Sequence, residues 1–415
     1  MEPLDLNTFI VQLNSALQNV PAEALVEVRL FTGGSAFDFG EISSENISRI
    51  CSVLLSDHRI VKLRVETLLT FLNHENLSLW TNLLQPIRLE IAIGIESCNR
   101  FFRKFCINKP FEDEEMRHLI ELAAGYADIV CYLMLGHIFL TEKESVDDVI
   151  ASTFELLQLP VHRIDINPLH IHNHTIAGHL FRANMAFPPS LWSIDLVRTI
   201  FSNHSRVNIT GLSPNPLPVA SPMSCAICQS AFLDDIKQKR PFVGCPCYVA
   251  WSKSYRTPSG DLLARIEAGY THLAESFEVP VEASVRQLHS AESVYGDKTL
   301  AIARARAVNC GLHNEFIGAL QKLMKIRTIS VSIPPETVLR MYPGIFGEDY
   351  TYDVLNSYHG ESICMICEGR GAVEHVLRVR NDLRMRFRDR GTNFFHAADT
   401  DGEVALHMRL LGLTI

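Results

Sequence analysis

The sequence predicts an α/β fold whose first part is a full or partial barrel of βα units. Three observations carry this reading. Up to Leu212 the chain alternates short β-branched runs with helix-period stretches, the pattern of successive βα units. No glycine-rich phosphate loop follows the first strand, which disfavours a dinucleotide fold. At roughly 150 residues per domain, the 415 residues make two or three domains, and 47% hydrophobic with 20% charged residues excludes a chain disordered along most of its length.

Leu6 to Leu17 reads as a helix, so residues 1–25 form an N-terminal helical segment. The strand candidates follow: Val26 to Thr32, Val61 to Thr67, Leu89 to Ser97, Asp128 to Leu135, Val161 to Asn167 and, more weakly, Arg206 to Leu212. They read as apolar on both faces, as strands buried in a parallel sheet require. Between them, Ser43-Ser44-Glu45 opens a helix with an N-cap-like start, and Glu112 to Ala124 has an acidic first turn and a left-handed stop at Gly125. Thr141 to Leu157 opens on a Thr-x-x-Glu capping box. The barrel is placed at 26–222, and a cysteine-rich segment at 223–255. A mostly helical accessory domain at 256–415 has helices over Leu262 to Ala274, Leu300 to Val308 and Asn314 to Lys325.

A net charge of −9 excludes a chain that grips nucleic acid non-specifically over its whole surface. The start MEPLDLNTF lacks a basic signal region and no apolar run reaches the ~18 residues of a membrane span. The expectation is therefore a cytoplasmic protein without membrane contact, its eleven cysteines thiols or metal ligands rather than disulfides.

In a barrel of βα units, chemistry sits where the loops converge at the carboxyl ends of the strands. Thr32-Gly33-Gly34-Ser35 with Asp38, then Glu66, Gly94 with Glu96, His137, and Asn167 with His170 lie there. Two carboxylates and a glycine turn on one rim suit a small polar ligand bearing an amine, or they simply cap strands and helix ends.

The segments FTGGSAFDFGEIS, RVET, LEIAIGIESCNRFFRKFCINKPF, YLMLGHIFLTEKESVDDVIAS, INPLHIHNHTIAGHLF and FPPSLWSIDLV together resemble the radical S-adenosylmethionine superfamily, nearest its archaeosine-biosynthesis, tRNA-modifying branch. The resemblance runs from about Val26 to Trp251. It implies an incomplete (β/α)6 TIM-like barrel whose open end holds S-adenosylmethionine. Gly33 and Gly34 match the turn facing the cofactor's amino group, and Glu66 and Glu96 match polar barrel positions. A nucleoside or tRNA is the implied substrate.

The sequence departs from that family at one place. Family members hold a [4Fe–4S] cluster on a Cys-x3-Cys-x2-Cys loop after the first strand, because a cubane with one open iron needs three protein thiolates. No such spacing occurs here: Cys98 and Cys106 are wrongly spaced and Cys364-x-x-Cys367 is a lone pair. The chain corresponds to the family fold minus its first βα unit, so a [4Fe–4S] cluster is not expected. Three readings follow: a degenerate, cluster-free homologue; an enzyme whose first unit lies outside this stretch or on another polypeptide; or a superficial likeness. The rival class is a non-catalytic RNA- or protein-binding partner of an intact catalytic paralogue.

Cys225-x-x-Cys228 and Cys245-x-Cys247 form two thiolate pairs suited to a structural, tetrahedral zinc, or four thiols packed as small hydrophobes. His170, His172, His174 and His179 read as a polar rim loop, or His170 and His172 act with Glu96 as ligands of a metal-dependent site. LRVRNDLRMRFRDR alternates around Asn381-Asp382, which predicts a β-hairpin with Arg378, Arg380, Arg384, Arg386 and Arg388 on one face. That face is a candidate RNA contact or a solvated, acid-paired surface; a helix over the same stretch is the alternative. The chain purified alone, reduced and given S-adenosylmethionine, is expected to show no iron–sulfur chromophore and no 5′-deoxyadenosine by chromatography.

Overall fold

The computed structural model describes residues 6–31, 34–109, 111–210, 217–229, 245–256, 261–277, 297–342, 348–387, 394–398 and 400–413. Helix α1 (Leu6–Gln18) leads into β1 (Val26–Leu30), α2 (Ser44–Leu55), β2 (Ile60–Thr67), α3 (His74–Leu84), β3 (Arg88–Glu96), α4 (Asp113–Ala124) and β4 (Asp128–Leu135). Then come α5 (Glu142–Leu156), β5 (Arg163–Pro168), α6 (Ile176–Arg182), α7 (Leu191–Ile200) and β6 (Val207–Ile209). The six strands pair in chain order and parallel, forming a curled half-barrel. The expected strands are all present.

Their faces differ from the expectation. Neighbouring side chains on a strand point to opposite sides. One side carries the buried Leu63, Val65, Ile91, Ile93, Ile95, Ile129, Leu133, Ile164 and Ile166, packed under the helices. Lys62, Arg64 and Glu66, then Glu90 and Glu96, Tyr132, and Arg163 and Asp165 occupy the alternate positions. These strands are amphipathic because their second face lines an open bowl instead of a second helix layer.

Charge is paired within that bowl. Glu90, with no exposed surface, accepts from Arg64, lies 3.4 Å from both Lys62 and Arg163, and so joins β2, β3 and β5. Arg163 donates to Asp165 at 2.8 Å, and Arg64 lies 3.7 Å from the same carboxylate.

The predicted caps are mostly present. The Ser43 side chain accepts from the Asn46 amide, and Thr141 with Glu144 closes a capping box. Gly125, expected to be left-handed, has φ −72° and ends α4 in the right-handed region.

Helices α8 (Pro246–Arg256) and α9 (Leu262–Phe277) follow. Gly269 lets α9 lie on the Phe139 ring, where a Cβ would come within 2.1 Å. The rest is β7 (Lys298–Ala303), α10 (Ala305–Asn309), α11 (His313–Gln321), β8 (Lys325–Ser332), α12 (Pro335–Met341), α13 (Glu348–Ser357), β9 (Glu361–Glu368), α14 (Ala372–Arg386), β10 (Phe395–Ala397) and α15 (Asp401–Leu410). Its antiparallel sheet has the order β10-β7-β9-β8, a split β-α-β-β-α-β arrangement.

The expectation of a mostly helical region did not include this sheet. Leu300 to Ala303, read as helix, is a strand at the sheet centre; a short apolar run does not reveal its period. The arginine hairpin is likewise a helix, α14. Val373, Val376, Val379 and Leu383 recur at three and four residues and are all buried, and this spacing prevails over the period-two alternation of Arg378, Arg380, Arg384 and Arg386.

Glu90→Ala would take from the buried Arg64 its nearest anion, while Lys62 keeps Glu27 at 2.7 Å and Arg163 keeps Asp165 at 2.8 Å. Urea denaturation should show a loss of about 3–5 kcal/mol, the cost of breaking a buried ion pair from one side.

Candidate ligand rim and metal centre

The rim is built at the carboxyl ends of β2 and β3. Glu66 stands beside Tyr132, Arg64, Glu96 and Lys109; burial raises its pKa above the ordinary glutamate range, against the Tyr132 hydrogen bond and the Arg64 charge. The Tyr132 hydroxyl is pushed up to about 12 by burial and by the Glu66 charge.

Glu96 adopts φ +67°, which turns the strand end back over Gly94. Its Oε1 accepts from Lys109 Nζ at 2.7 Å, and the same ammonium donates to the Gly94 carbonyl at 3.0 Å. A Cβ on Gly94 would sit 2.6 Å from Glu96 Oε1 and 2.7 Å from Lys109 Nζ, so glycine there leaves the room this pair occupies. Of the two carboxylates here, Glu96 is paired with Lys109, while Glu66 shares Arg64 with Glu90.

Gly33 lies outside the described residues. The Gly34 amide donates to Glu41 Oε1 at 3.1 Å, Ser35 to Glu41 Oε2 at 2.6 Å and Ala36 to the Glu66 carbonyl at 2.9 Å. Three successive N–H groups are thus committed, so this turn is no cradle for an anion; a cationic group suits it better.

The other rim residues are dispersed. His137 is buried, 3.2 Å from Asp148, whose other oxygen accepts from Ser97 Oγ at 2.7 Å. His170 Nδ1 is 3.1 Å from Ser221 Oγ, the His172 carbonyl accepts from Thr175, and His179 meets Phe277 edge to face. Among the described residues, ligand atoms of His170, His172 and Glu96 do not converge. A cleft of about 1170 Å³ lies away from this rim, against α4 and α5 on one side and α15 on the other.

The four cysteines do converge. The Cys225–Cys245, Cys228–Cys247 and Cys245–Cys247 sulfurs are 3.5, 3.6 and 3.4 Å apart, although residues 230–244 between the pairs lie outside the described residues. A tetrahedron of thiolates around one zinc at 2.3 Å has edges of roughly 3.8 Å, so the set fits a single ion. It does not fit a cubane, in which each thiolate binds a separate iron. Burial would raise the Cys247 thiol, but hydrogen bonds from the Cys225 backbone and the Trp192 indole outweigh it and hold it down to about 6.

Aromatic side chains seat this centre. Trp192 Nε1 donates to Cys247 Sγ at 3.3 Å, and Trp251 Nε1 donates to Ser193 Oγ at 3.0 Å. Ser193 in turn donates to Glu142, which also accepts from the Ser190 amide at 2.7 Å. Sequence reasoning did not single out Trp192, Trp251, Glu142 or Lys109. The tryptophans near the cysteines and the lysine in the INKPF run were the available signals.

The arginines expected on one face have separate uses. Arg380 and Arg384 donate to the carbonyls of Ala397 and Phe395 on edge strand β10, and Arg386 pairs with Glu315 at 3.1 Å. Arg378 is exposed beside His375, and Arg388 lies outside the described residues. Cys364 and Cys367 are buried in β9, where burial pushes both thiols up to about 12.

Trp192→Phe removes the donor to Cys247 while keeping the aromatic packing. Competition with a chromophoric chelator should show zinc held about 10–100-fold more weakly, the usual cost of losing an outer hydrogen bond to a ligand.

No family model matches this chain. It is 29% identical over 265 residues to the archaeosine synthase subunit beta of Methanosarcina acetivorans, covering 61% of this chain and 75% of that one. With the archaeosine synthase subunit beta of Thermococcus kodakarensis it shares 28% identity over 184 residues, 44% of this chain and 56% of the relative. Among solved structures, the archaeal Methanocaldococcus infernus Elp3 with an N-terminal deletion aligns at TM-score 0.41 and 14% identity, over 56% of this chain and 58% of the other. The chain thus spans three quarters of the first relative and little more than half of the second. The resemblance to the archaeosine-biosynthesis branch is borne out: the homologues are archaeosine synthase beta subunits. Among the described residues, no helix is long and apolar enough to cross a membrane.

Proposed function

We propose that this homologue of archaeosine synthase subunit beta takes part in nucleoside or tRNA modification and holds S-adenosylmethionine at the half-barrel rim. The observation that carries the reading is the meeting of Glu66 and Glu96 beside a turn whose amides at Gly34, Ser35 and Ala36 are already committed. Such a rim favours an amine-bearing, cationic ligand, and a sulfonium amino acid is one. Gly34 is assigned to the ligand's amino group, with Glu66 and Glu96 as its counter-charges and Lys109 as the side chain that orients Glu96.

The thiols bear on the chemistry this stretch performs by itself. Among the described residues, the converging set of cysteine sulfurs is Cys225, Cys228, Cys245 and Cys247, to which we assign a structural zinc. Its four protein ligands leave no open position, so its part is to pin the segment carrying α8 against α5 and α7. The relatives are named subunits, which supports a second polypeptide as catalytic partner, and the chain's own share is then to bind and orient the ligand.

A second reading is a binding partner for RNA or for an intact enzyme, without a small ligand at the rim. It is favoured by the Glu96–Lys109 pair, which already satisfies one rim carboxylate internally.

Calorimetric titration with S-adenosylmethionine separates the two. The first reading expects one site per chain, weakened tenfold or more in Glu66→Gln and in Glu96→Gln; absence of binding favours the scaffold. Because burial raises the Glu66 pKa, acidification protonates this carboxylate before ordinary glutamates. Affinity for the cation should therefore fall early as pH drops and recover as it rises.

A further inference from the structure

We infer that His396, Glu403 and His407 form a second, thiolate-free metal site, selective for a borderline ion such as Zn²⁺, that ties the carboxyl-terminal sheet to its last helix. One ligand atom from each of the three residues lies within 4.8 Å of the others. His396 stands on β10, while Glu403 and His407 are one turn apart on α15. His396 Nε2 and His407 Nδ1 are 3.1 Å apart, close enough to bind one ion together, and Glu403 Oε1, 3.9 Å from His396 Nε2 and 4.0 Å from His407 Nε2, would close on that ion by turning towards Nδ1.

The supporting shell is that of a ligand histidine. His407 Nε2 is 2.6 Å from the Met341 carbonyl at the end of α12, which fixes Nε2 as the protonated nitrogen and turns Nδ1 towards His396. Both rings are buried, and the Glu403 side chain keeps 15% of its surface, leaving an approach for an ion. Two imidazoles and one carboxylate are a donor set that tetrahedral zinc accepts with a fourth position open.

The surroundings sharpen the selectivity. Arg304, Arg380 and Arg384 bear electrostatically on His396 and weigh against a cation. Binding must therefore come from coordination by nitrogen rather than from charge, so Zn²⁺ is held and Mg²⁺ or Ca²⁺ is not. The site draws together β10, α12 and α15. It reaches the barrel as well, since Lys143 of α5 lies 4.0 Å from Glu403 and Thr400 donates to Asp147 at 2.8 Å.

The full chain is loaded with Zn²⁺ in the presence of excess Mg²⁺ and its metal measured by mass spectrometry. Two equivalents are expected, falling to one in the Cys225→Ser, Cys228→Ser, Cys245→Ser, Cys247→Ser variant and to one in His396→Asn, His407→Asn. If the cysteine variant does not fold, the intact chain is loaded with Co²⁺ instead. His407→Asn should then remove a d–d absorption while sparing the thiolate charge-transfer bands. A single equivalent in the intact chain, insensitive to both histidine replacements, overturns the inference.

Discussion

Everything on the concave face depends on Glu90. A parallel sheet whose two faces are both covered by helices can be apolar throughout; this one leaves a face open, and it is charged. Charges buried there must be paired within the sheet, since an unmatched one costs several kcal/mol. Glu90 meets that requirement for Arg64 and lies 3.4 Å from Lys62 and Arg163, whose nearer anions are Glu27 at 2.7 Å and Asp165 at 2.8 Å. The pairs span β2, β3 and β5 and so constrain the curl of the strands. Higher up, Glu66, Glu96, Tyr132 and Lys109 continue the same polar face to the rim. The ionic floor and the ligand-facing rim are one alternation of residues read along the strands.

The fold was legible wherever pattern and position agreed. Strand order, the capping box at Thr141 and the cysteine pairs are local signals, and each appears where its spacing places it. What was missed needed the third dimension. The bowl lining was hidden because Arg64, Glu90 and Asp165 sit singly among apolar neighbours, and their sequence gives no sign that they face one another. The carboxyl-terminal sheet was missed because Leu300 to Ala303 is too short to declare its period. In α14 two periodicities coexist, and the buried valines decided between them.

The candidate site was half legible for a related reason. Glu66 and Glu96 could be placed from the ends of strands, but Lys109 comes from a loop and reaches Glu96 only because Glu96 folds back over Gly94. The indoles that seat Cys247 and Glu142 arrive from α7 and α8, far apart in the chain. These details are properties of this chain's own packing.

Helix α5 is a junction between three parts of the fold. Within its first two turns Glu142 reaches Ser190, Ser193 and Trp251, Glu144 takes both oxygens to Arg265 of α9, and Asp147 receives Thr400 at the head of α15. Three parts of the molecule thus meet at six consecutive residues, like spokes on a hub. The loop between β4 and α5 therefore opens directly onto the stretch where all three are joined.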